Sequence, residues 1–200
     1  DVLGSRGLGD VYKRQGYTMF RGMDAYNRAT AKDKILLFPT DTVSKSLKYA
    51  MDRSGKDLSL PDLTKACLAN FQETAKKGFF MMVEGGKIDW AAHAHDGGAV
   101  VKETIDFDQC IRLAYDFYKK HPNETLILVT ADHETGGLTL PSGNADFTKS
   151  ESGVLYKYGS KSHTAVMVPV YLYGTGAERI NGVMENSDLA NRLMEILELE

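Results

Sequence analysis

Residues able to bind a divalent cation are concentrated between residues 84 and 96 of this chain. Glu84 follows a short apolar run, and Asp89 and His93 lie four residues apart just beyond it. On a helix this spacing places a carboxylate and an imidazole on one face, where both can reach the same cation. The same spacing is also common in solvated pairs without a metal, so the pair alone does not establish a site.

Two further groups of potential ligands follow. Asp132 and His133 stand directly after an apolar run and before Gly136 and Gly137. Adjacent residues within a strand point to opposite faces, so both can reach one cation only where the strand gives way to a turn, which the glycines permit. His163 precedes a third apolar run. The first two groups are therefore expected to face each other at the carboxyl edge of a sheet.

The apolar runs predict the elements that position these side chains. Residues 79–83 form one of four predicted buried strands, and Glu84 lies at its carboxyl end. Helical patterns precede and separate the strands, which is typical of βαβ units on a parallel sheet. The sequence thus predicts an α/β fold with one largely parallel sheet. The strands are expected at 34–38, 79–83, 125–131 and 165–173, and the helices at 23–30, 59–77 and 100–120.

Composition limits the classes of function. The chain has 200 residues, a formal net charge of −3 and 42% apolar residues, which fit one globular domain. Its balance of charge gives no reason to expect a nucleic acid partner. The longest apolar run has about nine residues, too few to span a bilayer, so no transmembrane segment is expected. Cys67 and Cys110 form no C-x-x-C motif and could pair or stay free.

Residues 1–15 show neither helical nor strand periodicity and are interpreted as a non-native leader, without a signal peptide. Residues 16–200 then form the domain. The glycine-rich stretch at 4–9 is not interpreted as a phosphate loop, because no strand precedes it and no helix clearly follows it. The stretch at 174–178 ends a predicted strand and is interpreted as a turn rather than a phosphate loop. His95 and His121 are predicted to be structural or solvated, His95 because it lacks a partner.

Three motifs together resemble the alkaline phosphatase family. They are VEGGKID with a histidine four residues after its Asp, then TADHETGG, then HTAVMVPVYLYG, in the family's order. The segments FPTDTVSKSLKYAMDR, LSLPDLTKA and KKGFFMMVEGG are similar to bacterial members. The resemblance covers nearly all of residues 16–200 and looks like the carboxyl-terminal part of the family's domain.

The resemblance implies a three-layer α/β sandwich, here incomplete, with a largely parallel sheet and helices on both faces. It also implies two zinc ions and one magnesium ion, used to hydrolyse phosphate monoesters through a phosphoserine. Small phosphomonoester substrates, a homodimer in the full-length enzyme and a periplasmic or extracellular location are implied as well. By motif position, Asp89, His93 and His163 bind the first zinc, Asp132 and His133 the second, and Glu84 the magnesium. The ligand atoms of each zinc set should then lie within about 8 Å of one another, since zinc bonds are about 2 Å long.

Two departures from the family bear on function. Trp90 stands where many members carry His or Lys, so substrate contacts and the third metal site are expected to differ here. None of the eleven serines follows an aspartate, whereas the family's nucleophile lies in an Asp-Ser context. The fragment itself is therefore expected to be inactive. Two alternatives stay open: a phosphodiesterase or phosphomutase of the same superfamily, and a metal-binding fragment without catalytic activity.

Overall fold

The computed structural model describes residues 11–30, 34–39, 46–140, 148–149 and 155–198. The chain divides into two compact units. The first contains Asp1–Ile88 and Val101–Cys110, and the second contains Asp89–Val100 and Ile111–Glu200. The five predicted zinc ligands all belong to the second unit, whereas Glu84 belongs to the first.

The first unit opens with a parallel strand pair joined by a short helix. Strand β1 (Thr18–Arg21) pairs with β2 (Ile35–Phe38) in parallel register. Helix α1 (Gly22–Asn27) begins directly after β1, because Gly22 adopts a φ of +73° that turns the chain sharply. The predicted strand at 34–38 and helix near 23–30 are confirmed. Strand β1 was not predicted, since four residues of mixed polarity carry little periodicity.

Helix α2 (Leu60–Thr74) begins at a reciprocal capping box. The Asp62 backbone N–H donates to the Ser59 hydroxyl, and the Ser59 backbone N–H donates to the Asp62 carboxylate, each at 3.1 Å. Such a cap contributes about 1 kcal/mol to helix stability. Pro61 lies in the first turn, where its missing N–H leaves no bond unmade. The predicted start at residue 59 is confirmed, and the helix ends three residues before the predicted 77.

Residues 79–83 do not form the strand predicted for them. The segment alternates between half-buried and exposed side chains, as an extended strand would, yet no described strand lies beside it. Phe80 is 71% exposed and Met82 is 77% exposed. In the described part of the chain, no backbone hydrogen bond joins residues 80–83 to another backbone group. Apolar periodicity can predict an extended backbone, but a strand also needs a neighbour to accept its hydrogen bonds.

Two further helices lead toward the predicted ligands. Helix α3 (Gly86–His93) is followed after three residues by α4 (Gly97–Tyr118). Asp96 caps α4 by accepting a hydrogen bond from the Ala99 N–H at 2.9 Å, so this helix begins three residues before the predicted 100. In the first unit, Asp106 of α4 pairs with Arg53 at 2.5 Å. Because α4 covers nearly all of residues 100–120, the helix predicted there is confirmed.

The main ladder of the second unit is antiparallel, which corrects the predicted parallel sheet. Strand β3 (Leu126–Thr130) pairs with β8 (Val170–Gly174) in antiparallel register, with Leu126 opposite Gly174. The strand predicted at 165–173 is therefore shorter at its start, where Pro169 lacks the N–H that a ladder needs. The four strand pairs among the described residues are one parallel pair and three antiparallel pairs, not one shared sheet.

The remaining elements of the second unit are short. Strand β4 (Glu134–Thr135) pairs with β7 (His163–Thr164), and β5 (Thr148–Lys149) pairs with β6 (Leu155–Tyr156), both antiparallel. A 3-10 turn at Ala177–Arg179 follows β8, so the glycine-rich stretch after β8 is a turn, as predicted. Helix α5 (Asn186–Ile196) comes last. No described helix is long and apolar enough to cross a membrane.

Glu134 stabilises the turn that follows β4. Its carboxylate accepts hydrogen bonds from the backbone N–H of Gly137 at 3.0 Å and of Leu138 at 3.1 Å, and from the Thr164 hydroxyl of β7. Burial opposes ionisation, but the bonds from Thr164, Leu138 and Gly137 outweigh it. The pKa of Glu134 therefore lies below its ordinary value of 4.5.

Gly174→Ala should destabilise the protein by about 1–3 kcal/mol, because Gly174 has a φ of +108° and an added Cβ would lie 2.2 Å from the Thr125 carbonyl oxygen. Urea denaturation followed by circular dichroism measures the loss. Gly55→Ala is the matched control, because a Cβ there meets nothing within 4 Å. Equal unfolding midpoints for the two variants would contradict the described β3–β8 ladder.

Glu134→Gln should lower the free energy of unfolding at pH 7 by about 1–2 kcal/mol, because a charged acceptor of several hydrogen bonds is lost. Since the folded-state pKa is depressed, the carboxylate's contribution is present above the unfolded-state pKa and is lost as pH falls through the folded-state pKa. The difference in the free energy of unfolding between wild type and variant should thus shrink as the pH falls. Denaturation in EDTA from pH 7 to acid pH measures this difference, with Glu178→Gln at an exposed position as the control. A difference that stays constant at acid pH would refute the stabilising role of the Glu134 carboxylate.

Candidate metal centre

Asp89 and His93 lie one turn apart on α3, as the sequence predicts. His93 Nε2 is 3.4 Å from Asp89 Oδ1. Between them Ala91 and Ala92 are buried, so the helix is anchored by its small residues while the two polar tips stay open to solvent. The helical spacing alone brings a carboxylate oxygen and an imidazole nitrogen to a common point.

His163 completes a triangle of donor atoms with this pair. It comes from β7, and its Nε2 lies 3.1 Å from His93 Nε2 and 3.5 Å from Asp89 Oδ1. The three ligand atoms meet the distance limit set by the sequence analysis, since all lie within 4.8 Å of one another. Zinc with bonds of about 2.0–2.1 Å in tetrahedral geometry requires donors about 3.3 Å apart. The observed separations therefore fit a single zinc ion held by three protein ligands.

Hydrogen bonding fixes the tautomer of His93. Its Nδ1 lies 2.7 Å from the backbone carbonyl oxygen of Lys161. Because a carbonyl oxygen only accepts, the hydrogen of the neutral ring is on Nδ1. The lone pair is then on Nε2, which faces Asp89 and His163. An outer hydrogen bond of this kind is what orients a histidine that binds metal.

Asp132 and His133 form the second group. They lie in the bend between β3 and β4, where the glycines Gly136 and Gly137 have φ values of +91° and +59°. His133 Nε2 is 3.3 Å from Asp132 Oδ2, so adjacent residues do converge here, and the predicted turn is confirmed. Asp132 is 85% exposed, which leaves this pair accessible but less enclosed than the first set.

Thr135 links the two groups. Its hydroxyl lies 2.5 Å from Asp89 Oδ1 and 3.2 Å from His133 Nδ1. A carboxylate accepts, so the hydroxyl donates to Asp89 and accepts from the Nδ1–H of His133. The lone pair of His133 is therefore on Nε2, as in His93. The His133 and His163 rings also stack at 3.5 Å with an angle of 18°, so the two groups are in direct contact.

Glu84 lies in the first unit, just before α3, and the cluster of three potential ligands found among the described residues does not include it. Its role in binding magnesium stays a prediction. Trp90, next to Asp89, is 52% exposed.

The two other histidines have structural contacts. His121 stacks on Phe117 and lies 2.9 Å from Glu124 Oε1, which confirms the prediction for it. His95 does have partners, against the expectation from sequence: it stacks on Tyr158 and bonds the Ser160 carbonyl. Thr135 was not among the predicted site residues, although its place two residues after His133 is a usable signal. The Lys161 carbonyl carries no sequence signal, since any residue supplies one.

Comparisons with known proteins identify relatives of this chain. The family model for alkaline phosphatases matches residues 3–153. Alkaline phosphatase 4 of Bacillus subtilis is 29% identical over 255 aligned positions, covering 96% of this chain and 54% of that protein. The streptomycin-6-phosphate phosphatase of Streptomyces griseus is 34% identical, covering 71% of this chain and 36% of its own length. The chain thus spans about half the length of the first of these relatives and a smaller share of the second.

Solved structures show the same fold. The alkaline phosphatase of the Antarctic bacterium TAB5 has a TM-score of 0.78 at 27% identity, covering 96% of this chain and 55% of its own. A mutant of that enzyme was solved with magnesium bound. The cold-active alkaline phosphatase of a Shewanella species has a TM-score of 0.81 at 22% identity, covering 96% of this chain and 62% of its own. The predicted α/β class is therefore confirmed. With a family model matched over more than half of its length, the chain belongs to the alkaline phosphatase family.

Proposed function

We propose that this chain forms the greater part of the metal centre of an alkaline phosphatase that hydrolyses phosphate monoesters through a phosphoserine. The observation that carries the proposal is the triangle of Asp89, His93 and His163, whose donor atoms are 3.1–3.5 Å apart. That spacing fits zinc bound tetrahedrally by three protein ligands, with a fourth position left for a substrate oxygen.

The donor chemistry supports an assignment of each metal. Asp89, His93 and His163 would hold the first zinc, and Asp132 and His133 the second. Glu84 would contribute to a magnesium site, because magnesium prefers oxygen ligands. When bound, a pair of zinc ions stabilises the attacking and leaving oxygens of an in-line phosphoryl displacement.

The protein's own contribution is to present these donors already oriented. Thr135 donates to Asp89 and accepts from His133, so one hydroxyl sets the orientation of a ligand in each group. The Lys161 carbonyl does the same for His93. Ligands held in this way bind metal more tightly than free side chains do, because less motion is lost on binding.

The nucleophile is proposed to lie outside this chain. None of its eleven serines follows an aspartate, the context in which the family carries its nucleophile. The relatives are also about twice as long. Phe80 and Met82 are exposed and no strand among the described residues pairs with their segment, which is in keeping with an incomplete domain.

By family, the substrates would be small phosphomonoesters, and the complete enzyme would be a homodimer in the periplasm or outside the cell. The same family likeness favours this reading over a phosphodiesterase or phosphomutase. The chain as it stands is proposed to be the other alternative, a metal-binding fragment without catalytic activity. Hydrolysis of a chromogenic phosphomonoester distinguishes such a fragment from an active enzyme.

The chain should bind zinc weakly but specifically, because its first site keeps three protein ligands while the second keeps two. Competition with a chromophoric chelator measures the affinity. His163→Ala should weaken binding at least a hundredfold, because the first site is left with two ligands, whereas His121→Asn should leave it unchanged. Equal affinities for wild type and His163→Ala would refute the assignment.

The purified chain should show no hydrolysis of a chromogenic phosphomonoester at alkaline pH with added zinc and magnesium. The physical reason is the missing nucleophile, whose loss alone removes several orders of magnitude in rate. Turnover that depends on metal and disappears in His163→Ala would show that a nucleophile is present in this chain, contrary to the proposal.

A further inference from the structure

His95 holds a backbone conformation that histidine rarely adopts. It follows the last residue of α3 by two positions and has a φ of +57°. The N–H groups of His95 and Asp96 donate back to the carbonyls of Ala92 and Ala91, at 3.0 and 2.9 Å. This is the Schellman arrangement that ends helices, and glycine or asparagine normally occupies the position of His95. The left-handed backbone conformation is unfavourable for histidine, so we expect contacts of the imidazole ring to compensate for it.

The ring of His95 is held on two sides. It stacks on Tyr158 with centroids 4.6 Å apart and planes 2° from parallel. Its Nε2 lies 2.6 Å from the Ser160 carbonyl oxygen and donates to it, since the carbonyl only accepts. The Tyr158 hydroxyl is buried and makes no hydrogen bond to the described residues. Tyr158 therefore contributes the face of its ring rather than its hydroxyl.

The bond from His95 runs beside the bond that orients the metal ligand His93. His93 Nδ1 donates to the Lys161 carbonyl at 2.7 Å, and His95 Nε2 donates to the preceding carbonyl, that of Ser160. Two histidines at the end of one helix thus bind two consecutive carbonyls of one segment. His163, the ligand from β7, lies two residues beyond Lys161.

The same segment is fixed from its other side by Gly136. The Gly136 carbonyl accepts from the Ser160 N–H at 3.0 Å, and the Gly136 N–H donates to the Ser162 carbonyl at 3.0 Å. The contact is close, because a Cβ on Gly136 would lie 2.7 Å from the Tyr158 ring. With Gly136 on one side, the bonds from His93 and His95 tie the segment to the end of α3.

Resting on the proposed metal centre, we infer that His95 is a positioning residue for the first zinc site. It does not contact the metal. By holding the Ser160 carbonyl against the helix end, it places the Lys161 carbonyl under His93 Nδ1 and sets the separation between the Nε2 atoms of His93 and His163. The reaction class and ligand set are unchanged; the affinity of the site is what His95 controls.

If His95 served only to cap α3, His95→Asn would not lower the zinc affinity. Asn tolerates the left-handed backbone better than His, so the variant would be as stable as wild type or more stable. The Asn amide is too short to take the place of imidazole Nε2 and lacks the ring that stacks on Tyr158. His95→Gln, by contrast, places an amide N–H near the position of Nε2 and can restore the bond to Ser160.

The experiment compares zinc affinity of wild type, His95→Asn, His95→Gln and the control His121→Asn, by chelator competition on the whole chain. We expect His95→Asn to weaken binding about tenfold, the lower end of the range for residues that support metal ligands. His95→Gln should recover part of the loss, and His121→Asn should match wild type. Thermal unfolding of each metal-free variant is measured as well, so that zinc affinities are compared only between folded proteins.

A second readout needs no metal. Long-range proton–nitrogen NMR of the metal-free protein reports the tautomer of His93, which should be Nδ1–H in wild type and mixed in His95→Asn. Unchanged zinc affinity in His95→Asn, or loss without recovery in His95→Gln, overturns the inference. If wild type binds no zinc, the proposed metal centre fails; His95 is then judged by the tautomer alone, and identical His93 spectra in the two proteins overturn its role.

Discussion

The candidate site depends on one constraint: three atoms with lone pairs are held 3.1–3.5 Å apart at the end of a short helix. Donor atoms at this spacing repel one another unless a cation or a proton lies between them, so the arrangement is favourable only with help from the surrounding chain. That help comes from two hydrogen bonds: His93 Nδ1 donates to the Lys161 carbonyl, and the Thr135 hydroxyl donates to Asp89 Oδ1. The free energy needed to hold the three donor atoms this close together is recovered when a metal binds, which couples metal affinity to local stability.

Residue type and spacing were sufficient to predict that Asp89 converges with His93 and that Asp132 converges with His133. The interval between Asp89 and His93 matches one helical turn, and adjacent Asp132 and His133 can converge because Gly136 and Gly137 allow a turn. Local geometry governs both cases, so neither needs knowledge of distant contacts. The capping box at Ser59 is local in the same way, and the start of α2 was predicted correctly. His163 could be included because its motif follows the others in the family's order.

Pairing between distant segments was not predictable in this way. Residues 79–83 have the apolar pattern of a buried strand, yet Phe80 and Met82 are exposed and their backbone has no strand partner among the described residues. The apolar content of a segment predicts that its side chains will be buried, but it does not predict which other segment packs against it. Likewise β3 and β8 were predicted as strands, but their antiparallel register depends on how the chain returns between them. His95 was judged to lack a partner because its partners, a ring and a carbonyl more than sixty residues away, leave no periodic signal.

The three metal sites implied by the family are unequally represented in this chain, and the inequality follows from where their ligands lie in sequence. The proposed first set is drawn from α3 and β7 and has three protein ligands, of which His93 and Asp89 are oriented by bonds to Lys161 and Thr135. The second has two adjacent ligands, of which Asp132 is 85% exposed. Because chelation gains free energy with every ligand already in place, the first site should fill at a lower zinc concentration than the second. Zinc would then fill the two proposed sites in succession. The rings of His133 and His163 stack on each other, so zinc binding at one site would affect the other through this contact.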